Sequence, residues 1–140
     1  MVEAIFLLCA ISPGYMTSGL QEQYMKQLRR VAPFAYLNYG VGLCKYTGSG
    51  GKSGASDASS EVVGKIRKLL NDHEIAWQMC ELGKTDAGGG GTVAKYMAKR
   101  NIDTLDAGVP VLSMHAPFEV VAKYDCYMTY RAVKAIFEEN

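Results

Sequence analysis

Short apolar runs alternate along this chain with longer stretches of helical periodicity, and that alternation limits the possible folds more than any other feature. Val2 to Ile11 is a continuous apolar run, broken by Pro13, Gly14 and Gly19. Leu20, Tyr24, Met25, Leu28 and Val31 then recur at helical spacing until Pro33 ends the pattern. Residues 34–46, FAYLNYGVGLCKY, are rich in aromatic and β-favouring side chains and read as a strand. TGSGGKSGAS, residues 47–56, is a loop by composition. Ser56 or Asp57 is expected to cap a helix that runs to about His73. Its apolar stripe is Val62, Val63, Ile66, Leu69 and Leu70, and Lys65, Arg67 and Lys68 lie on its wet face. IAWQMC (75–80) reads as the next strand, VAKYMAKRN (93–101) as a short helix, and 102–114 as a strand interrupted at Gly108, Val109 and Pro110. Its buried end, Val109 to Met114, stops at His115. A closing helix is expected from Pro117 to Phe137, with Glu119 in its first turn. This order predicts one α/β domain over residues 1–140, with a mixed, mainly parallel sheet and flanking helices.

Composition narrows the functional classes. Fifteen basic residues against fourteen acidic ones leave a formal charge of +1, so the chain carries neither a basic surface for nucleic acid nor an acidic tail. No apolar run is long enough for a membrane-spanning helix. The stretch MVEAIFLLCAIS has Glu3 where a signal peptide is basic and no A-x-A site, so it reads as a buried strand or short core helix. Cys9, Cys44, Cys80 and Cys126 form no CxxC pair, and each sits in an apolar run. They are expected as small core residues, kept as thiols in a cytoplasmic protein.

Three segments carry chemistry. DAGGGGT, residues 86–92, puts four consecutive glycines between a strand and a helix. Backbone amides there can approach a phosphate, a carboxylate or an oxyanion closely. Lys84 precedes the glycines and no GK[ST] closes the segment, which rules out a P-loop. Lys45 and Lys52 flank the other glycine-rich loop and could hold a substrate carboxylate, although a solvated loop is the simpler reading. His115 can ligate zinc through a neutral imidazole, but a hydrolytic zinc site takes three protein ligands plus water. Glu119, Asp106 and Asp86 stand at no diagnostic spacing from it, and His73 falls at a helix end.

Read together, AYLNYGVGLCKYTGSGGKSGASDASSEVVGKIRKLL, WQMCELGKTDAGGGGTVAKYMA and DAGVPVLSMHAPFEVVAKYDCYMTYRAVKAIF resemble the carboxyl-terminal part of the aminopeptidase I and aspartyl aminopeptidase family, in its bacterial branch. The likeness covers roughly residues 34–138. It implies part of a zinc-peptidase catalytic core with a phosphorylase/hydrolase-like fold, in a cytoplasmic homo-oligomer acting on peptides. In such enzymes two zinc ions activate a bridging water and a glutamate serves as general base. The resemblance makes His115, in its S-M-H stretch, a zinc ligand. It places Gly89, Gly90, Gly91 and Thr92, with Lys45 as a weaker match, on the substrate side.

It also implies a deficit. The family's other metal-binding histidine, its bridging aspartate and its paired glutamates belong to sequence upstream of anything in this chain. A further zinc aspartate sits in an S-A-D-like motif, where this chain has Ser12, Pro13 and Gly14. The expected function is therefore that of a zinc aminopeptidase family member, truncated and inactive as an isolated chain. The alternative is a non-catalytic remnant, or a partner subunit acting through homo- or hetero-oligomerisation.

Overall fold

The computed structural model describes residues 5–8, 35–48, 55–80, 93–114 and 117–139. A four-stranded sheet forms its centre, built from β1 (Ile5–Leu8), β2 (Val41–Cys44), β5 (Trp77–Cys80) and β6 (Thr104–Gly108), in the order β1-β6-β2-β5. β1 pairs parallel with β6 and β2 parallel with β5, while the central pair, β2 and β6, is antiparallel. Two of three pairings are thus parallel, and the sheet is mixed. Two small ribbons project from it: β3 (Tyr46–Gly48) with β4 (Ala55–Asp57), and β7 (Val111–Leu112) with β8 (Val120–Val121).

Two long helices cover one face. α1 (Ser60–Asp72) directs Val62, Val63, Ile66, Leu69 and Leu70 inward, and α3 (Lys123–Glu138) contributes Met128, Ala132, Ala135 and Ile136. They close over Val41, Leu43, Leu105 and Ala107 of the sheet. Strand alternation sends Cys44 and Cys80 to the opposite face, where they cluster with Ala35. α2 (Ala94–Ala98) is a single short turn and a half before β6.

Local boundaries differ from the sequence reading for identifiable reasons. Ser59, not Ser56 or Asp57, caps α1, its side chain accepting from the Val62 amide at 3.3 Å. Residues 55–57 are committed to the β3–β4 ribbon, which Ala58 closes by donating to the Lys45 carbonyl at 2.8 Å. The closing helix begins at Lys123, not Pro117, because the β-branched pair Val120–Val121 joins Val111–Leu112 instead. Glu119 consequently lies outside the helix, and the acid of its first turn is Asp125. The buried strand in this region is Thr104–Gly108 rather than Val109–Met114, where Leu112 is already exposed. Cys44 and Cys80 are buried as expected, but Cys126 is exposed on α3. Cys9 and the helical pattern of residues 20–32 lie outside the described residues.

The strand-like stretch FAYLNYGVGLCKY gives the central sheet only four residues, because a tight turn precedes them. Asn38 at φ 67 and Gly40 at φ 89 both adopt left-handed backbone. The turn is held from two sides. The Asp125 carboxylate accepts the Asn38 and Gly40 amides, each at 2.8 Å. The Gln78 amide group accepts from the Tyr36 N–H and donates to the Tyr36 carbonyl, both at 2.8 Å. On the helical face, Arg131 of α3 donates to the His73 and Glu74 carbonyls at 2.5 and 3.3 Å, satisfying the carboxyl end of α1.

Asp125→Ala should cost about 3–5 kcal/mol, since each stranded amide costs roughly 1–3 kcal/mol. Asp125→Asn, which keeps one acceptor, should fall between it and wild type in urea denaturation. Gly40→Ala should cost about 3 kcal/mol or more, combining left-handed strain with overpacking. A Cβ there would lie 2.0 Å from the Ala76 carbonyl oxygen. A loss below about 1 kcal/mol would mean that β2 and β5 separate easily at this point.

Candidate functional site

The strands that precede the candidate segments in the chain end at two opposite ends of the sheet. Cys44 and Cys80 face each other across the parallel pair β2–β5, so Lys45 and the glycine-rich segment that starts at Glu81 leave the sheet side by side. β6 runs the other way, with Gly108 opposite Gly42. β1 runs with β6, Leu8 opposite Ala107. The chain therefore leaves β1 toward Ser12, Pro13 and Gly14, and β6 toward His115, from one shared end. Neighbouring carboxyl ends of parallel strands are where open α/β sheets assemble ligand sites.

His115 falls in the chain between β7 and β8, after Ser113 at φ 60. His115, Gly89, Gly90, Gly91, Thr92, Asp86 and Lys52 lie outside the described residues. Lys45 is described: its ammonium donates to the Asp57 carboxylate, tying the start of the β3–β4 ribbon to its end. Both side chains are partly exposed, so the pair is a local clasp in contact with solvent.

The remaining titratable residues divide between structural and surface positions. His73 is the C-cap of α1, its Nε2 3.4 Å from the Glu139 carboxylate. Asp106 is buried in the middle of β6, in register with Leu7 and Cys44, whereas Glu119 is exposed. A hydrogen bond that Lys68 donates to the Asp72 carboxylate, reinforced by its charge, holds Lys68 above the ordinary lysine range, on the exposed face of α1. Among the described residues no three histidine, cysteine, aspartate or glutamate side chains converge to hold a metal ion. No described helix is long and apolar enough to cross a membrane.

The sequence reading did not single out Asp125 and Gln78, which shape the approach to β2. Asp125 stands where an ordinary helix-start acid would, and nothing local in the sequence marks its partner as a turn 85 residues earlier.

The mixed α/β architecture alone names no activity, and comparison with known proteins gives the family. The profile of the family described as aminopeptidase I zinc metalloprotease (M18) matches residues 11–137, reaching upstream of the stretch that carries the visible resemblance. A "probable M18 family aminopeptidase 1" from Borreliella afzelii is 54% identical over 103 residues, 74% of this chain and 22% of that protein. The corresponding protein of Thermotoga maritima is 48% identical over 103 residues, 74% of this chain and 23% of its own length. The solved aminopeptidase I of Clostridium acetobutylicum superposes with a TM-score of 0.66 at 46% identity, covering 72% of this chain and 22% of that one. An aminopeptidase of Desulfurococcus kamchatkensis, 21% identical, shares the fold over 99% of this chain and 34% of its own, with a TM-score of 0.70. The chain belongs to the M18 family of aminopeptidase I zinc metalloproteases, and its fold is the mixed α/β, phosphorylase/hydrolase-like fold of those peptidases. It spans about a fifth of the length of the curated relatives it matches.

Lys45→Met should change stability by no more than about 1 kcal/mol, and by less in high salt, because exposed ion pairs contribute little. Urea denaturation at two ionic strengths checks this. A larger loss would make Lys45 a structural residue rather than one available to a ligand.

Proposed function

We propose that this chain carries part of the catalytic core of a zinc aminopeptidase, one that removes amino-terminal residues from peptides. The carrying observation is the shared exit of β1 and β6. The chain continues from those two strand ends into the stretches that hold Ser12-Pro13-Gly14 and His115, and in this reading the family's S-A-D-like and S-M-H motifs meet a metal there. In this reading His115 is the zinc ligand, and Lys45, Gly89, Gly90, Gly91 and Thr92 belong to the substrate side, reached from the opposite end by a segment of twelve residues, 81–92. We read the 140 residues as one domain, with a cytoplasmic setting.

The donors in this polypeptide do not fit a two-zinc centre. It has two histidines, of which His73 is engaged at the end of α1, and Gly14 stands where the motif calls for an aspartate. Several deprotonated ligands acting together supply most of the binding energy of such a site, and one neutral imidazole does not replace them. The 140-residue chain alone is therefore inactive in this reading, and no catalytic step is assigned to it.

Self-association is the second part of the proposal. Phe118 and Phe137 are 86% and 78% exposed, and Tyr36, Tyr39, Tyr127 and Tyr130 add further exposed aromatic surface. Fold relatives are described as a dodecamer and as assembling into a tetrahedron or an octahedral shell. A homo-oligomer would cover such surface.

Purified 140-residue chain, dialysed against zinc and analysed for metal, should hold well under one tightly bound ion per subunit. Leucyl and aspartyl chromogenic substrates should give no turnover above a His115→Ala control. Two ions per chain together with turnover lost in that control would reverse the inactive reading. Sedimentation should give a particle larger than the 15.2 kDa monomer; a monomer at all concentrations would remove the oligomer.

A further inference from the structure

Cys44 and Cys80 are the last residues of β2 and β5 and lie in register across that parallel pair. Their Sγ atoms are 3.4 Å apart, and both side chains are almost fully buried. Because in-register residues point to the same face, the two Cα–Cβ bonds run side by side. We propose that Cys44 and Cys80 form an oxidisable pair that closes to a reversible intramolecular disulfide in the presence of a hydroperoxide.

The backbone already meets the requirement. A disulfide takes Cα atoms about 4.4–6.8 Å apart and sulfurs about 2.05 Å apart. Neighbouring strands are spaced about 4.8 Å apart, inside that Cα range. Rotation about the two Cα–Cβ bonds, with any small shift of the strand ends, has to close the sulfur gap by a little over an ångström. Burial selects the oxidant: hydrogen peroxide is small and neutral, whereas a bulky disulfide reagent has to open the sheet end first.

The chemistry balances with hydrogen peroxide as the two-electron oxidant. One cysteine, as thiolate, attacks a peroxide oxygen, breaking the O–O bond and releasing hydroxide, and becomes a sulfenic acid. The neighbouring thiol's sulfur then displaces the sulfenic oxygen, forming the S–S bond. The two hydroxides released in the two steps take up the two thiol protons, so that two thiols and one peroxide give one disulfide and two waters. The 3.4 Å separation favours this second step over further oxidation to sulfinic acid. Cys126, exposed on α3, has no such neighbour among the described cysteines. The bond would lock together the strand ends from which Lys45 and the segment after Glu81 depart.

The test treats the folded full chain with hydrogen peroxide, quenches and denatures it, alkylates the remaining thiols, and reads intact mass and a non-reduced peptide map. Two of the four cysteines should escape alkylation, the map should show a Cys44–Cys80 cross-link, and dithiothreitol should reverse it. Cys126→Ala should leave the cross-link intact, and Cys44→Ala or Cys80→Ala should abolish it. If those two variants do not fold by circular dichroism, the wild-type map decides alone. The same oxidation in denaturant should scatter the pairings, tying the specific pair to the fold. All four thiols remaining alkylatable, a cross-link through Cys9 or Cys126, or conversion to sulfinic acid without a disulfide would each overturn the proposal.

Discussion

A buried carboxylate gripping two backbone amides sets the register of this molecule. Asp125, fully buried near the start of α3, accepts from Asn38 and Gly40 in a turn whose left-handed backbone aims the chain into β2. The amides of a turn pressed against a sheet have to be satisfied from outside it, and α3 brings the acceptor. The same helix sends Arg131 to the carboxyl end of α1. One element from the end of the chain thus fastens both the entrance to the central strand and the exit of the first long helix. The apolar seam between α1, α3 and the sheet supplies the burial, and these polar contacts choose among the arrangements that would bury it equally well.

The antiparallel pairing of β2 and β6 divides the sheet into two parallel halves pointing opposite ways. Segments that the resemblance assigns to one active centre therefore start from different ends. The metal-side motifs follow β1 and β6, whereas Lys45 and the glycine-rich segment follow β2 and β5. β2 spans only four residues, so at about 3.4 Å per residue the two ends of the sheet lie close together.

Among the described residues, helix content was legible in the sequence where apolar spacing was strong. All five stripe residues of α1 are buried as expected, because a period of 3.6 is written locally and only one face can meet a core. Ends were less legible. Ser59 caps α1 and Val120–Val121 form a strand because residues distant in sequence, Tyr46–Gly48 and Val111–Leu112, compete for that backbone. Of the candidate site, the sequence supplied residue types and a family likeness. It said nothing of the Asp57 ion pair on Lys45, or of Asp125 and Gln78 meeting at one turn.

By itself, then, the sequence determined the class of fold, the apolar faces of its long helices, the glycine-rich segments, and the family to which the chain belongs. Only tertiary structure decided the order β1-β6-β2-β5, the reversed direction in its middle, and the meeting of Cys44 with Cys80. The division has a physical cause. Periodicity and chain stiffness act between residues a few positions apart, whereas strand order depends on which partners best bury a shared surface and satisfy its amides, and those partners lie tens of residues away.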